Sequence, residues 1–495
     1  MQFPFPRGTE KENQTTMTYF WLALAALVVA FFAVIIIRAL RFTPKATAKV
    51  EPTEVAVDEA SIVEHFVDMI RCKTISYYED ERIDKAEFQK FRALLKKLYP
   101  HVSKACSYEE IGPSGVLFHL KGKSADKPSV FMSHYDVVPV NEEQWTKPAF
   151  DGLIENGILY GRGTLDTKGT LLGVMEAAEQ LLKGGFVPEN DMYFAFAGDE
   201  EVAGKSQPVI VETMRARGIV PALVLDEGGA VVEGIFPGVK QPCALIGIAE
   251  KGLMDAQFVI EGAGGHASAP PPHTGIGRLA AAVTRIEGKP FPVKLTKPVA
   301  EMFDTLGRRS SFVFKLIFAN LWCFLPVLDA MCKKSGGELN AMMRTTCAFT
   351  MAEGSKASNV LPPKARMVAN LRIISGETCE STLARLKALT ADAGISVSIM
   401  HGTDPCRISR TEGYGWEKLT HAIAETWPNA EISPYLMFAA SDSRHYSAIS
   451  DNVYRFSTME LTKEERAGIH GHDEHIPLEK IIKTVQFYVR LMKTL

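Results

Sequence analysis

Paired cysteines are missing from this 495-residue sequence. Its eight cysteines stand singly and form no CxxC pair, which excludes a zinc ribbon and a thioredoxin-like motif. Their density is also too low for a disulfide-stabilised scaffold. Isolated cysteines are usually buried thiols, so we expect them to be core residues.

The sequence also has no strong excess of charge, no internal repeat and no low-complexity tract. Its formal net charge is −3, and 46% hydrophobic with 23% charged residues is an ordinary composition for a folded protein. A chain with so little net charge has no electrostatic reason to bind nucleic acid, and we expect no such partner. The length fits two or three domains.

Long apolar runs are rare, with one exception near the N-terminus. Residues 19–37 contain no charged side chain and could cross a bilayer as a helix. A cleaved signal peptide is the alternative, because residues 46–48 (ATA) offer a small-residue cleavage site. The apolar run is long for a signal peptide, and Arg38, Arg41 and Lys45 separate it from that site. We therefore predict a single-pass membrane anchor.

Charged residues on the two sides of this run indicate an orientation. Four basic residues follow it and two precede it (Arg38, Arg41, Lys45 and Lys49; Arg7 and Lys11). By the positive-inside rule, this small excess favours a cytoplasmic location for the large C-terminal part.

Beyond the anchor, helical and strand-like patterns alternate. Four short apolar runs, SVFMSH, MYFAFAG, ALVLDEGG and VYRFSTM, resemble strands buried on both faces, which is typical of a mostly parallel sheet with helices on both sides. A smaller α/β unit interrupts this pattern. We predict a tail at 1–18, a transmembrane helix at 19–37, a linker at 38–60, a main domain at 61–250 and 402–495, and an inserted domain at 251–401.

A second apolar stretch lies at residues 310–328. Lys315, Asn320 and Pro326 interrupt it, so we do not expect a second membrane span. A buried helix is the simplest interpretation. An apolar surface near the membrane and a site for an acyl chain are the alternatives.

Acidic residues and a histidine follow the predicted strands. Three of the apolar runs and one Gly-rich turn lead into such residues. These are His134 and Asp136; Asp199, Glu200 and Glu201; Asp226 and Glu227; and, in the turn, Asp166. The carboxyl ends of parallel strands meet at one edge of a sheet, so these side chains should gather there. Like charges in one cleft need a cation. Oxygen and imidazole ligands without thiolate suit zinc, and also manganese or cobalt.

The short spacings suggest separate roles. His134 and Asp136 are two residues apart on an extended segment, so Asp136 can accept the His134 ring N–H. Glu200 and Glu201 are adjacent and, if extended, point to opposite sides. One can bind metal while the other faces the substrate. Each residue alone could be structural, and only the complete set indicates a metal site.

The ordered motifs resemble those of a known family. SHYDVVPV, GRGTLDTKG, GDEEVAG, LDEGG, GAGGHAS, NVLP and IHGHDEHI are similar to motifs of the dinuclear zinc amidohydrolases. This family includes carboxypeptidase S, aminoacylase, glutamate carboxypeptidase and succinyl-diaminopimelate desuccinylase. The resemblance covers residues 61–495 and is closest to the carboxypeptidase S branch.

The resemblance implies two zinc ions and five metal ligands. Asp166 would bridge the ions, His134 and Asp226 would complete one site, and Glu201 with His470 would complete the other. The motif IHGHDEHI also offers His472 and His475. The resemblance selects His470, with His472 as the alternative ligand and Glu474 as the family's glutamate. It also implies a cis peptide after Asp166.

The resemblance further implies roles in catalysis and binding. Asp136 would orient His134, and Glu200 would be the general base. His266, from an inserted domain that acts as a lid and dimerisation domain, would stabilise the oxyanion. Asn359 and Arg372 would bind the substrate.

Together these expectations predict a membrane-anchored di-zinc hydrolase that cleaves an amide or peptide bond next to a free carboxylate. An amidohydrolase acting on N-acyl amino acids, including fatty-acyl ones, is the alternative. A membrane-tethered binding scaffold is the non-enzymatic alternative. The expected partners are a small peptide or N-acyl amino acid, the lipid bilayer and a second copy of the chain bound through the inserted domain.

Overall fold

The computed structural model describes residues 10–45, 50–392 and 394–495. The possible cleavage site at 46–48, together with Arg7, Lys49 and the Lys11 side chain, lies outside the described part of the chain. The helices are α1 (Glu10–Arg41), α2 (Glu59–Ile70), α3 (Lys85–Leu98), α4 (Pro100–Ala105), α5 (Lys168–Lys183), α6 (Ser206–Ala216), α7 (Gly275–Glu287), α8 (Lys297–Gly307), α9 (Phe312–Phe318), α10 (Leu321–Ser335), α11 (Gly337–Met343), α12 (Cys379–Thr390), α13 (Tyr414–Thr426), α14 (Lys463–Ala467) and α15 (Leu478–Thr494). The strands are β1 (Ser107–Ile111), β2 (Gly115–Leu120), β3 (Ser124–His134), β4 (Leu153–Glu155), β5 (Ile158–Tyr160), β6 (Asn190–Ala197), β7 (Leu223–Val232), β8 (Cys243–Glu250), β9 (Gly252–Glu261), β10 (Gly265–His266), β11 (Thr346–Glu353), β12 (Val360–Leu361), β13 (Lys364–Ile373), β14 (Ile395–Thr403), β15 (Glu431–Met437), β16 (Val453–Leu461) and β17 (His475–Pro477).

An eight-stranded sheet forms the centre of the main domain, in the order β1-β2-β6-β3-β7-β16-β8-β15. The neighbours β6, β3, β7 and β16 run parallel to one another, whereas the β1 and β2 edge is antiparallel. All four predicted strands, β3, β6, β7 and β16, are in this sheet, so the prediction of a mostly parallel α/β fold is confirmed.

Helices cover both faces of this sheet, as predicted. Alternate side chains of β3 point to opposite faces: Phe131 belongs to the large core formed with α5 and α15, and Val130 belongs to a second core formed with α6. Both side chains are fully buried. Burial on both faces explains why these strands appear in the sequence as continuous apolar runs.

The predicted insertion contains a second, four-stranded antiparallel sheet in the order β11-β13-β9-β14. Its burial alternates along β9, and α7 and α12 supply residues to the separate core under one face. The following helices behave differently, because Val299, Met302 and Phe303 of α8 belong to the core of the main domain. The predicted unit 251–401 therefore divides its residues between two cores.

Among the described residues, α1 is the one unbroken helix that is long and apolar enough to cross a membrane, from Gln14 to Arg41. A signal sequence near the N-terminus has the same properties.

The apolar stretch at 310–328 differs from the predicted single buried helix. It belongs to two helices, α9 and α10, whose axes are bent by 107°. Several of their apolar side chains are exposed, including Val313 and Trp322.

Candidate metal centre

The turn between β5 and α5 carries Asp166 and is fixed by one buried carboxylate. Glu474 is fully buried and accepts the backbone N–H groups of Leu165 at 2.7 Å and of Gly163 and Asp166 at 3.2 Å. The Arg162 guanidinium donates to its other oxygen at 2.5 Å. A buried glutamate with several charge-assisted donors holds its partners firmly, so the position of Asp166 is set by Glu474.

Three side chains form the first ligand group: His134, Asp166 and Glu227. His134 Nε2 lies 2.9 Å from Asp166 Oδ1 and 3.5 Å from Glu227 Oε1. The other ring nitrogen, Nδ1, lies 3.0 Å from the Asp136 carbonyl oxygen and 3.4 Å from its carboxylate. Asp136 therefore orients His134 chiefly through its main chain, which leaves Nε2 directed at the carboxylates.

The second ligand group contains Asp166, Glu201 and His470. His470 Nε2 lies 3.1 Å from Asp166 Oδ2 and 3.2 Å from Glu201 Oε2. His470 has a left-handed backbone conformation with φ of 58°, and this conformation belongs to the sharp turn that directs its ring toward the acids. The peptide bond between Asp166 and Thr167 is cis, as the resemblance implies.

The negative charges of the two groups, and a ligand atom without a hydrogen-bond partner, fit divalent metal ions. Glu201 Oε1 is buried and has no hydrogen-bond partner within the described residues. Burial, and then the nearby Asp166 charge, raise the pKa of Glu227 to about 8. Hydrogen bonds to Asp166 and Glu201 raise the pKa of His470 to about 10. These raised pKa values reflect negative charges that crowd together. Two cations sharing Asp166 would stabilise the same cluster of acids better than protons do.

Glu200 belongs to neither group, although it precedes a ligand. Asp136 is fully buried and accepts the backbone N–H of Glu200 at 3.2 Å and that of Glu201 at 3.1 Å. Burial, together with the negative charges of Glu227 and Asp442, raises the pKa of Glu200 above its usual value. A carboxylate with a raised pKa beside a metal site is suited to carrying a proton.

Asp226 lies outside both groups, which differs from the prediction. Its carboxylate is buried and accepts the Ser443 backbone N–H at 3.0 Å. Glu227, the next residue along β7, points to the other side and takes the position expected for Asp226. The motif LDEGG contains both acids, and the even burial of the preceding Leu223–Leu225 segment gives no alternation from which to choose between them.

The three histidines of IHGHDEHI have different surroundings. His470 is in the second ligand group. His475 Nδ1 donates to the Asp473 carbonyl oxygen at 2.7 Å, and its ring lies 5.2 Å from that of Tyr160. His472 is exposed and belongs to neither ligand group of the described chain.

The predicted residues of the insertion lie in two places. His266 is on β10 and pairs with Val360 on β12. Val360 is the residue that follows Asn359 in the sequence. The Ala267 N–H donates to the Asn359 carbonyl oxygen at 3.0 Å, so the structure brings His266 and Asn359 together on an exposed two-stranded sheet. Neither belongs to a ligand group of the described residues.

Arg372 lies on β13, and two basic residues near it, Lys251 and Arg444, were not predicted from the sequence. Burial, and the nearby cation of Arg444, lower the pKa of Arg372. Burial and the charge of Arg372 likewise lower the pKa of Lys251 to about 7. Arg372, Lys251 and Arg444 form a basic cluster that can attract an anion such as a carboxylate. No motif marks Lys251 or Arg444, because 72 residues or more of sequence separate each from Arg372.

An apolar cavity of about 440 Å³ lies between the main sheet and helix α8, and three of its lining residues are next in sequence to proposed ligands. Phe236, Met302 and Met459 are among its lining residues. Three further lining residues, Leu165, Gly228 and Ile469, are the direct neighbours in sequence of Asp166, Glu227 and His470.

Comparisons with known proteins identify the family of this chain. Residues 130–494 match Peptidase family M20/M25/M40. The chain is 35% identical over 448 residues to an N-fatty-acyl-amino acid synthase/hydrolase, PM20D1, of Xenopus tropicalis, covering 89% of this chain and 87% of that one. It is 30% identical over 502 residues to a probable carboxypeptidase S-like protein 2 of Dictyostelium discoideum, covering 98% and 96%.

A solved structure with a similar fold is the metallo-carboxypeptidase Sso-CP2 of Sulfolobus solfataricus. The TM-score is 0.66 at 16% identity, over 87% of this chain and 98% of that one.

Proposed function

We propose, since the chain belongs to peptidase family M20/M25/M40, that it is a two-metal hydrolase that cleaves an amide bond next to a free carboxylate. The observation that carries this proposal is the pair of ligand groups that share Asp166. Zinc is the ion we propose, because nitrogen and oxygen ligands without thiolate suit it, although manganese and cobalt accept the same donors.

The residues of the chain divide the work. His134, Asp166 and Glu227 would hold one ion, and Asp166, Glu201 and His470 the other. When bound, the two ions would polarise the substrate carbonyl and lower the pKa of a water molecule. Glu200 would take the proton of the attacking water and pass it to the leaving amine. Asp136 would hold Glu200 and Glu201 through their backbone N–H groups.

The free carboxylate of the substrate would be bound by Arg372. A guanidinium can grip a carboxylate with two parallel hydrogen bonds. Lys251 and Arg444 would strengthen the local positive potential, and Asn359 would contact the substrate from the β10–β12 strand pair. Replacement of the substrate carboxylate by a carboxamide should therefore raise KM.

Among such amides, N-acyl amino acids with a long acyl chain are the substrates we favour over peptides. The apolar cavity lined by sequence neighbours of the ligands supports this choice, because its size falls in the range of small-molecule sites. The relative with 35% identity also carries the name of an N-fatty-acyl-amino acid synthase/hydrolase. A peptide carboxypeptidase remains the second candidate, supported by the carboxypeptidase S-like relative.

The exposed β10–β12 strand pair with His266 would complete the site from the inserted domain. His266 Nδ1 accepts from the Ser268 hydroxyl at 2.8 Å, which would leave Nε2 free to stabilise the oxyanion. We propose that His266 does so after closure of the inserted domain or from a second copy of the chain in a homodimer. Restored activity in a mixture of His266→Ala and Glu200→Gln chains would favour the second copy.

We also propose that α1 is a membrane anchor with the hydrolase domain on the cytoplasmic side. Its apolar run exposes most of its side chains, among them Leu27, Val29 and Phe32. A surface of this kind is stable in lipid and unfavourable in water.

The Glu200→Gln variant tests the proposed reaction. We expect this variant to retain bound metal and to lose roughly 10²–10⁴-fold in kcat, because glutamine cannot accept a proton. Turnover would be measured on acetyl, octanoyl and dodecanoyl amino acids and on matching dipeptides, with metal content measured on the same samples.

Glu212→Gln is the matched control, since its carboxylate lies on the exposed face of α6 and is 62% exposed. Normal turnover by Glu200→Gln would remove Glu200 as the base. A wild-type preference for dipeptides over dodecanoyl substrates would transfer the assignment to the peptide carboxypeptidase.

A further inference from the structure

Helices α9 and α10 form a bent apolar unit, the elbow, at residues 312–335. The helix axes turn by 107° at the break between them. Its outer side exposes five large apolar side chains to between 47% and 67% of their area: Phe312, Val313, Trp322, Val327 and Met331. Several large apolar side chains exposed on one short unit mark an interaction site.

The elbow is bound directly to α1. Asn320 is fully buried, and its side-chain amide donates to the Ile35 carbonyl oxygen at 3.1 Å. Arg38 donates to the Ala319 carbonyl oxygen from Nε at 3.1 Å and from Nη2 at 3.0 Å. The rings of Phe31 and Trp322 lie 5.9 Å apart. The tip of the elbow therefore contacts α1 over about two helical turns.

These contacts give the elbow a defined depth relative to the apolar run of α1. Phe31 lies within the charge-free residues 19–37, and Arg38 is the first charged residue after them. At 1.5 Å per residue, Phe31 lies roughly 10 Å deeper along the helix than Arg38. Trp322 is in contact with Phe31, so it shares that depth wherever α1 is embedded.

The charges on the elbow fit an element that lies in a membrane interface. From Ser310 to Leu328 the only charged residue is Lys315. At the far end of α10, Lys333 pairs with Asp329 at 2.8 Å, and Lys334 follows. A short apolar element bordered by basic residues is typical of segments that lie at the boundary of headgroups and acyl chains.

We propose that the elbow is inserted into the same lipid bilayer as α1 and fixes the orientation of the hydrolase domain on the membrane surface. The proposed occupant is lipid, because the exposed Trp322 continues the apolar surface of α1 at the level of Phe31. This proposal rests on the proposed anchoring by α1, but it does not depend on the proposed reaction.

The inner side of the elbow adjoins the wall of the apolar cavity. The Phe318 ring lies 4.8 Å from that of Phe236 and 5.2 Å from that of Phe303. Phe236 lines the cavity. Insertion of the elbow would therefore hold the cavity close to the bilayer surface, where amphiphilic acyl substrates collect.

Depth-dependent quenching of Trp322 tests this proposal on the full chain. The protein would be reconstituted into phosphatidylcholine vesicles whose acyl chains carry bromine either near the headgroup or near the bilayer centre. The emission lost in Trp322→Phe relative to wild type isolates the Trp322 signal, and phenylalanine preserves an aromatic contact with Phe31. Trp21→Phe isolates a signal from α1 itself, and Trp416→Phe one from the main domain.

We expect bromolipid with bromine near the headgroup to quench Trp322, to quench Trp21 as well, and to leave Trp416 unchanged. Quenching of Trp21 without quenching of Trp322 would overturn the insertion of the elbow and leave the anchor intact. Quenching of neither would overturn both. Hydrolysis of a soluble acetyl amino acid, measured on the same samples, reports the proposed reaction separately.

Two charge substitutions provide a second, independent readout. Val313→Glu places a carboxylate on the outer side of the elbow and should reduce Trp322 quenching by half or more. Val220→Glu is the matched control, because Val220 is 65% exposed and Val313 is 67% exposed. Equal quenching of Trp322 in both variants would contradict insertion of the elbow.

Discussion

Asp226 and Glu227 are neighbours in sequence, but they face different surroundings. The Asp226 carboxylate is buried and receives the Ser443 backbone N–H. The Glu227 carboxylate lies 3.5 Å from His134 Nε2, within a ligand group. We therefore propose separate functions for the two acids: Asp226 would support the loop that contains Ser443, and Glu227 would face the metal.

Substitution of these two acids should have opposite consequences. We expect Glu227→Gln to reduce bound zinc from about two ions per chain to about one, because one ligand group loses its second carboxylate. We expect Asp226→Ala to retain both ions and to cost about 1–3 kcal/mol of stability, because the buried Ser443 N–H loses its acceptor. Metal analysis after dialysis and chemical denaturation measure the two effects, and the reverse pattern would return Asp226 to the ligand set.

The residue types of the site could be predicted from sequence, but one assignment could not. His134, Asp166, Glu201 and His470 lie together because they follow parallel strands or the turns beside them, and the sheet brings those ends to one edge. The choice between Asp226 and Glu227 depends on which face each occupies. A strand that is buried on both faces does not reveal this in its pattern.

At the scale of the element, a segment distant in sequence holds the Asp166 turn. Glu474 lies between His470 and β17, and it accepts three backbone N–H groups of the 163–166 turn. Its ion pair with Arg162 is almost completely buried on both sides. Loss of one partner in such a pair leaves the other charge buried and uncompensated.

Glu474→Gln should therefore destabilise the protein by about 3–5 kcal/mol and weaken metal binding through displacement of Asp166. The free energy of unfolding from chemical denaturation of the metal-free chain measures the first effect, and zinc titration measures the second.

The same substitution in an exposed ion pair is the control. Glu109 pairs with Arg217, and both side chains are more than 40% exposed, so Glu109→Gln should cost less than about 1 kcal/mol. If the two variants had equal stability, the proposed role of Glu474 in fixing the turn would be wrong.

Strands were easier to predict from sequence than the packing of the helices after α7. The apolar runs of β3, β6, β7 and β16 indicate burial by their composition alone. Helix α8 is amphipathic, and its sequence does not indicate which of two sheets its apolar face contacts. In the structure that face packs on the main core, against β15 and β8, although α8 lies within the predicted insertion.

At the scale of the whole molecule, α1 and the residues that follow it are joined to the hydrolase domain by non-covalent contacts as well as by the covalent connection. Lys45 pairs with Asp304 at 2.8 Å, and Arg308 donates to the Thr43 carbonyl oxygen at 3.0 Å. The buried side chains of α1, Ile35 and Ala39, lie near its C-terminal end. The C-terminal end of the helix and the segment after it therefore contact both α8 and the elbow.

The anchor can be tested separately from all other proposals. We expect the full chain to stay in the membrane fraction after alkaline carbonate extraction, because a charge-free span of this length is stable in the bilayer. The mature N-terminus, determined by sequencing, should precede residue 19. A C-terminal tag should be digested by protease added to the cytoplasmic side of sealed vesicles, because the larger number of basic residues lies after the apolar run.

Substitution of Arg38, Arg41 and Lys45 by glutamine is the matched variant for orientation. Removal of these charges should move part of the population to the opposite orientation, with the tag protected, while carbonate resistance persists. A mature chain that begins after residue 45 and is released by carbonate would identify α1 as a signal sequence. In that case the contacts of Arg38 with Ala319 would be absent from the mature protein, and the elbow would lack its neighbour.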